Sequence, residues 1–267
     1  MNAPTPAEIV LLDLGIDSPG DIDLEAIAWT LGASVRYRPL DTCEARIIGK
    51  DDRAIITVNS RSSFRRRRFS LAHELGHWRY HRNRILVCRS DEIGRSGEGQ
   101  TLTERTADNY AADLLMPWYL FRPMVRTYAK INFRGVGLIA DAFDTSITST
   151  AIRLVDSGQF PAMLVCHGPQ GRKWFTRAHD VPERWFPRAE LDPESFAFGI
   201  LFGNSPEDHM PRKIGADAWF DRWDADQFEI QEQTVRVAND EILTLLLIAE
   251  PRMLEDWGSA SSSARRR

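Results

Sequence analysis

Cysteine is scarce. The 267 residues include three, Cys43, Cys88 and Cys166, scattered and with no C-x-x-C pair. This excludes a disulfide framework and a cysteine-rich zinc site, and it fits thiols kept reduced in a cytoplasm. Long apolar runs are also missing. The longest near the end, Ile242 to Ala249, is too short to cross a bilayer, so no membrane partner is expected. Met1 to Pro6 has neither a basic n-region nor an apolar core. A secretory signal is therefore not expected, and the location reads as cytoplasmic. Positive charge is not in excess: 34 Lys and Arg face 38 Asp and Glu, for a net charge of −4. That balance gives no general drive toward nucleic acid. What remains, 43% hydrophobic and 27% charged, is ordinary for a globular chain of one to three domains with a sizeable core.

Against this plain background one stretch states a chemistry. Phe69 to Trp78 contains H-E-x-x-H, with His73, Glu74 and His77 in the named places. Residues four apart on an α-helix lie one turn above each other on one face. Two imidazoles at that spacing can grip one Zn²⁺, which acidifies a water, and Glu74 beside His73 can take the proton. An ordinary helix can also carry two surface histidines and a solvated Glu. Leu71, Ala72, Leu75, Gly76 and Trp78 instead surround the ligands with apolar or small residues, as in a buried helix. Asn83 stands where a metzincin needs its third His, so that subclass is excluded. His81 continues the series, but 8 residues of helix rise about 12 Å, too far for one ion to bond both His73 and His81.

A catalytic zinc takes three protein ligands and a water. Glu104 is the candidate third ligand. Thr103 can cap a helix in which Ala107, Ala111, Leu114 and Leu115 form a narrow apolar stripe, ended by Pro117. Glu104 lies on that stripe, where a carboxylate is strongly unfavourable unless paired or bound to metal. The small residues below it would let this helix approach the His73 helix closely. The alternative is that Glu104 decorates the first turn near the helix dipole.

R-F-S-L-A-H-E-L-G-H (Arg68 to His77) followed by E-x-x-A-D-x-Y-A-A-x-L-L-M-P (Glu104 to Pro117) resembles the ImmA/IrrE family of metallopeptidases. The resemblance implies that His73, His77 and Glu104 bind the metal and that Glu74 is the catalytic base. The metal is expected to be one Zn²⁺, with another divalent ion an option in the cell. Asp108 replaces the usual Asn and Tyr110 the usual Phe. The family cleaves repressors with a helix-turn-helix domain, so such a repressor is the implied substrate, in a stress or mobile-element response. The longer, IrrE-type members carry a GAF-like sensor domain at the C-terminus.

The rest of the chain gives an α+β protein in three parts: a zincin-like metallopeptidase domain over 1–130, a helix-turn-helix-like segment over 131–158, and an antiparallel α+β, GAF-like module over 159–258, with a disordered Ser/Arg tail over 259–267. Helices are expected from Pro6 to about Leu14 and from Asp23 to Gly32, and strands over 33–37, 45–48 and 54–59. Gly49 to Arg53 is the turn of a hairpin, and the ligand helix follows over 62–81. Arg65 to Arg68 could bind an acidic segment or DNA, or be the solvated start of a helix. Residues 89–100 read as a loop that could act as a lid over the cleft, against the plainer reading of a simple connection. In the middle segment Thr148, Ser149, Thr150 and Arg153 could touch DNA, against the plainer reading of a helical connector. Further strands are expected over 162–166, 173–177, 200–203, 228–238 and 241–249. His167, His179 and His209 read as surface or hydrogen-bonding histidines. Trp174, Trp185, Trp219 and Trp223 could line a pocket or pack a core.

Overall fold

The computed structural model describes residues 3–80, 102–238 and 240–255, and the backbone of 86–89. The chain is a mixed α+β protein with two separate sheets. It divides into two compact units, one of Met1–Tyr128 with Gly137–Thr150, the other of Ala129–Val136 with Ala151–Arg267. The loop expected over 89–100 falls, apart from Arg89, outside the described residues, as do His81 and the 259–267 tail.

In the first unit, α1 (Pro6–Asp13) begins with a reciprocal cap. Thr5 Oγ1 accepts from Glu8 N at 3.3 Å, and Glu8 Oε2 accepts from Thr5 N at 2.9 Å. Asp23 caps α2 (Leu24–Thr30) by accepting from Ala26 N at 3.0 Å. These bonds satisfy amides that have no partner inside a helix. Strands β1 (Ala33–Arg38), β2 (Cys43–Lys50), β3 (Arg53–Asn59) and β4 (Leu86–Arg89) form a sheet in the order β1-β3-β2-β4. β2 and β3 make the expected hairpin, but β2 runs through Gly49 to Lys50, which pairs with Arg53. The turn is thus Asp51-Asp52 alone, with Asp51 at φ 55°, a left-handed value that Asp tolerates better than most residues. β1 pairs in parallel with β3. β3 is therefore an inner strand, in keeping with its buried Ala54, Ile56 and Val58.

Helix α3 (Phe64–Tyr80) lies against this sheet, and every residue from Ser70 to Trp78 is buried. Gly49 makes room for it: a Cβ there would sit 2.4 Å from the Trp78 ring. Trp78 Nε1 also donates to Leu31 O at 2.8 Å, tying the helix to the end of α2. The arginines at its start are anchored within this unit rather than free. Arg65 pairs with Asp141 at 2.5 Å, Arg66 with Glu44 at 3.8 Å, Arg67 lies over the Tyr37 ring, and Arg68 donates to Ile22 O at 3.3 Å. The run opens α3, as the second reading expected, with its side chains half-buried and held by these contacts. The unit is completed by α4 (Leu102–Leu115) and α5 (Trp118–Arg126). Two further helices, α6 (Phe133–Phe143) and α7 (Ile147–Asp156), each contribute residues to both units.

The second unit is built on β5 (Ala162–Gly168), β6 (Gly171–Arg177), β7 (Arg212–Gly215), β8 (Glu229–Ala238) and β9 (Glu241–Leu247). They are antiparallel throughout, in the order β6-β5-β9-β8-β7. The stretch expected as a strand at 200–203 belongs to a helix instead, α8 (Phe196–Phe202), and a short α9 (Pro251–Leu254) closes the described chain. A buried carboxylate explains α8. Glu232 on β8 accepts from Ala197 N at 2.6 Å and from Trp219 Nε1 at 2.8 Å, so the helix start is held to the sheet. Trp185 and Trp219 are core, while Trp223 is 82% exposed; the four tryptophans do not share one pocket.

His167 is a core residue, unlike the exposed His179 and His209. Its ring meets Trp219 edge-on at 5.7 Å. Burial pulls its pKa down to about 4. The unfolded chain takes up this proton as pH falls below about 6.5, whereas the folded chain resists until about 4. Stability present above pH 6.5 is therefore lost between those values, by on the order of 1–3 kcal/mol from this group. Melting curves between pH 4.5 and 7.5 should show a steeper acid-side fall for the native chain than for His167→Phe. Equal slopes would show that His167 does not contribute.

Candidate metal centre

α3 supplies two of the expected side chains and α4 the third. His73 and His77, four residues apart, are both fully buried, and their Nε2 atoms are 3.0 Å apart. Glu104 stands in the first turn of α4. Its Oε2 is 3.2 Å from His73 Nε2 and its Oε1 is 3.4 Å from His77 Nε2. Among the described residues this is the one such group of His, Cys, Asp or Glu, with ligand atoms all within 4.8 Å of one another. Four ligands arranged tetrahedrally at 2.0–2.1 Å from zinc lie about 3.3 Å from each other. The observed spacings match that edge, and a set of two imidazoles and one carboxylate is of the kind that holds catalytic zinc.

The two helices can come this close because of Gly76. A Cβ there would be 2.9 Å from Ala107 Cα and 3.2 Å from Tyr110 Cβ. The small residues Gly76 and Ala107 therefore set the helix separation that lets Glu104 reach the imidazoles. Tyr110, where the family resemblance leads one to expect Phe, fills the same interface and packs edge-on against Tyr80 at 5.9 Å. Burial raises its pKa to about 12, so its hydroxyl stays neutral.

Glu74 is fully buried, and its charge is one of those that raise the pKa of Cys43 on β2, after the larger effect of burial. It is not one of the three clustered groups. Phe69, one turn before His73, brings its ring to 6.4 Å from the imidazole. Asp108, one turn after Glu104, was not expected as a ligand and is not one of the three. Its Oδ1 instead lies 2.7 Å from His73 Nδ1. The i,i+4 spacing from Glu104 was the signal that could have placed it at the site.

The electrostatics suit a cation. Burial opposes a charge on His73, but hydrogen bonds with Asp108 and Glu104 outweigh it and raise the pKa to about 9. The same hydrogen bonds from His73 and His77 hold Glu104 down at about 2. The pocket therefore attracts positive charge, and a metal would displace the proton that otherwise sits there.

The middle helices offer less to DNA than to the fold. Thr150 and Arg153 are buried, and Thr148 and Ser149 are half-buried. Thr150 Oγ1 bonds to Thr145 Oγ1 at 2.7 Å. No described helix is long and apolar enough to cross a membrane.

No curated protein matches the chain. Among solved structures, a Mycobacterium tuberculosis transcriptional regulator superposes over 91% of this chain and 74% of its own, with a TM-score of 0.57 and 14% identity, a likeness of fold. The peptidase M78 family, described as the IrrE N-terminal-like domain, matches residues 28–155, a span that takes in α3 and α4 with His73, Glu74, His77 and Glu104. Residues 28–155, just under half of the chain, thus match the IrrE N-terminal-like domain of the peptidase M78 family.

Proposed function

We propose that the protein is a zinc-dependent endopeptidase acting in the cytoplasm on a helix-turn-helix repressor. The observation that carries this reading is the meeting of His73 Nε2, His77 Nε2 and Glu104 at 3.0–3.4 Å across two helices. These three residues would hold the ion, and zinc so held supplies Lewis acidity toward a water and a peptide carbonyl. Glu74, next in the chain to His73 but outside the ligand set, is the base that takes the water's proton and returns it to the leaving amine. Its burial keeps that carboxylate out of bulk water, where proton exchange would compete. The repressor substrate and a stress or mobile-element role rest on the ImmA/IrrE resemblance of the two motifs.

A second reading makes the protein a regulator that uses the metal fold as a scaffold and binds DNA or another protein. The structural neighbour's description as a transcriptional regulator favours it. The burial of Thr150 and Arg153 weakens its DNA-binding form.

The two separate in one experiment. The zinc-loaded protein is incubated with the repressor encoded beside it, and fragments are identified by mass spectrometry. A defined cut should appear and should vanish when zinc is chelated. An intact repressor, bound tightly by the zinc-loaded protein, would favour the scaffold reading.

A further inference from the structure

We propose that Asp108 is a positioning residue that fixes the tautomer and direction of His73 for metal binding. The inference rests on the metal-centre reading and assigns a role to a residue outside its ligand set. Asp108 Oδ1 lies 2.7 Å from His73 Nδ1, a charge-assisted hydrogen-bond length. A neutral imidazole carries one N–H. If Nδ1–H donates to Asp108, Nε2 keeps its lone pair, and Nε2 is the atom that faces His77 Nε2 at 3.0 Å and Glu104 Oε2 at 3.2 Å. With the proton on Nε2 instead, an N–H would point at the spot where the ligands converge and would keep a cation out. The ring is fully buried and the Asp108 side chain only 16% exposed, so bulk water competes little for this bond.

The helix geometry links orientation to ligation. Asp108 follows Glu104 by one turn on α4, so both project toward α3 on one face. Docking of α4 therefore delivers a ligand to one side of His73 and an acceptor to the other in a single step. A carboxylate behind a ligating histidine also makes the ring a stronger donor to the metal. Two anions around one imidazole further raise the attraction of the pocket for a dication.

Zinc affinity of the full chain, read by competition with a chromophoric chelator, is the test, together with the ¹⁵N shifts of His73. Asp108→Ala should bind zinc about 10- to 100-fold more weakly, and its metal-free His73, recorded at a pH high enough for the imidazole to be neutral, should shift away from the Nδ1–H form. Asp108→Asn keeps an acceptor oxygen at the same place and should recover most of the affinity and the Nδ1–H signature. A purely structural role would lower the melting temperature of both variants without changing the tautomer. Wild-type affinity in Asp108→Ala, or an unchanged tautomer, would overturn the proposal. If the wild-type chain itself binds no zinc, the metal-centre reading falls, and this inference with it.

Discussion

Under the proposed peptidase reading, Glu74→Gln should leave the protein folded and able to hold zinc, yet lower its cleavage rate by about 10²- to 10⁴-fold, the usual range for a lost general base. The amide has the shape of the carboxylate but cannot accept the proton. Glu74 is fully buried, so removing its charge imposes no new desolvation on the folded chain. It also stands outside the group of His73, His77 and Glu104, so metal content should be kept. The loss belongs in kcat rather than KM, because the proton transfer occurs after the substrate is bound. Glu104→Gln is the contrasting variant: it removes the one anion of the proposed ligand set and should lose zinc and activity together. Rates of fragment formation, zinc content and melting curves measured side by side distinguish the two. Full activity in Glu74→Gln would remove Glu74 from the mechanism, and loss of zinc would place it in the ligand set.

The second large effect is expected at Gly76. In a helix interior Gly→Ala gains up to about 1 kcal/mol from backbone propensity. Here the added Cβ would lie 2.9 Å from Ala107 Cα and 3.0 Å from Ala107 O, against backbone that cannot swing aside. Overpacking of this kind costs about 1–3 kcal/mol. Gly76→Ala should therefore be neutral to moderately destabilising, and Gly76→Val, with two further methyls, should cost about 3 kcal/mol or more. The metal site suffers as well. Ala107 is one turn from Glu104 on α4, so pushing α4 outward draws the carboxylate from the imidazoles. Zinc affinity should fall in the order Gly, Ala, Val, with about tenfold lost for each 1.4 kcal/mol of distortion. A Val variant as stable and as tight for zinc as the native chain would show that Gly76 does not set the helix separation.

What the sequence reading missed has one source. The run Phe196 to Phe202 is short and apolar, a pattern that strand and helix share. Its state is settled by Ser195, which accepts from Phe198 N at 3.2 Å, and by the distant Glu232. Arg65 to Arg68 show only charge in the sequence; their partners Asp141, Glu44, Tyr37 and Ile22 are 22 to 76 positions away and could not be inferred. The parallel pairing of β1 with β3 was equally hidden, because alternation reveals a strand but not its neighbour.

The sequence by itself determined what is local. One helical turn separates His73 from His77, and that spacing alone puts two imidazoles on one face, with Glu74 beside them. The position of Glu104 on an apolar stripe marked it as a carboxylate needing a partner. Tertiary structure alone decided that the partner is this pair of histidines, that Gly76 and Ala107 let the helices close to ligand distance, and that Asp108 stands behind His73. The reason is physical: covalent geometry fixes spacing within a helix, whereas the approach of two helices depends on packing across a surface to which many separate segments contribute.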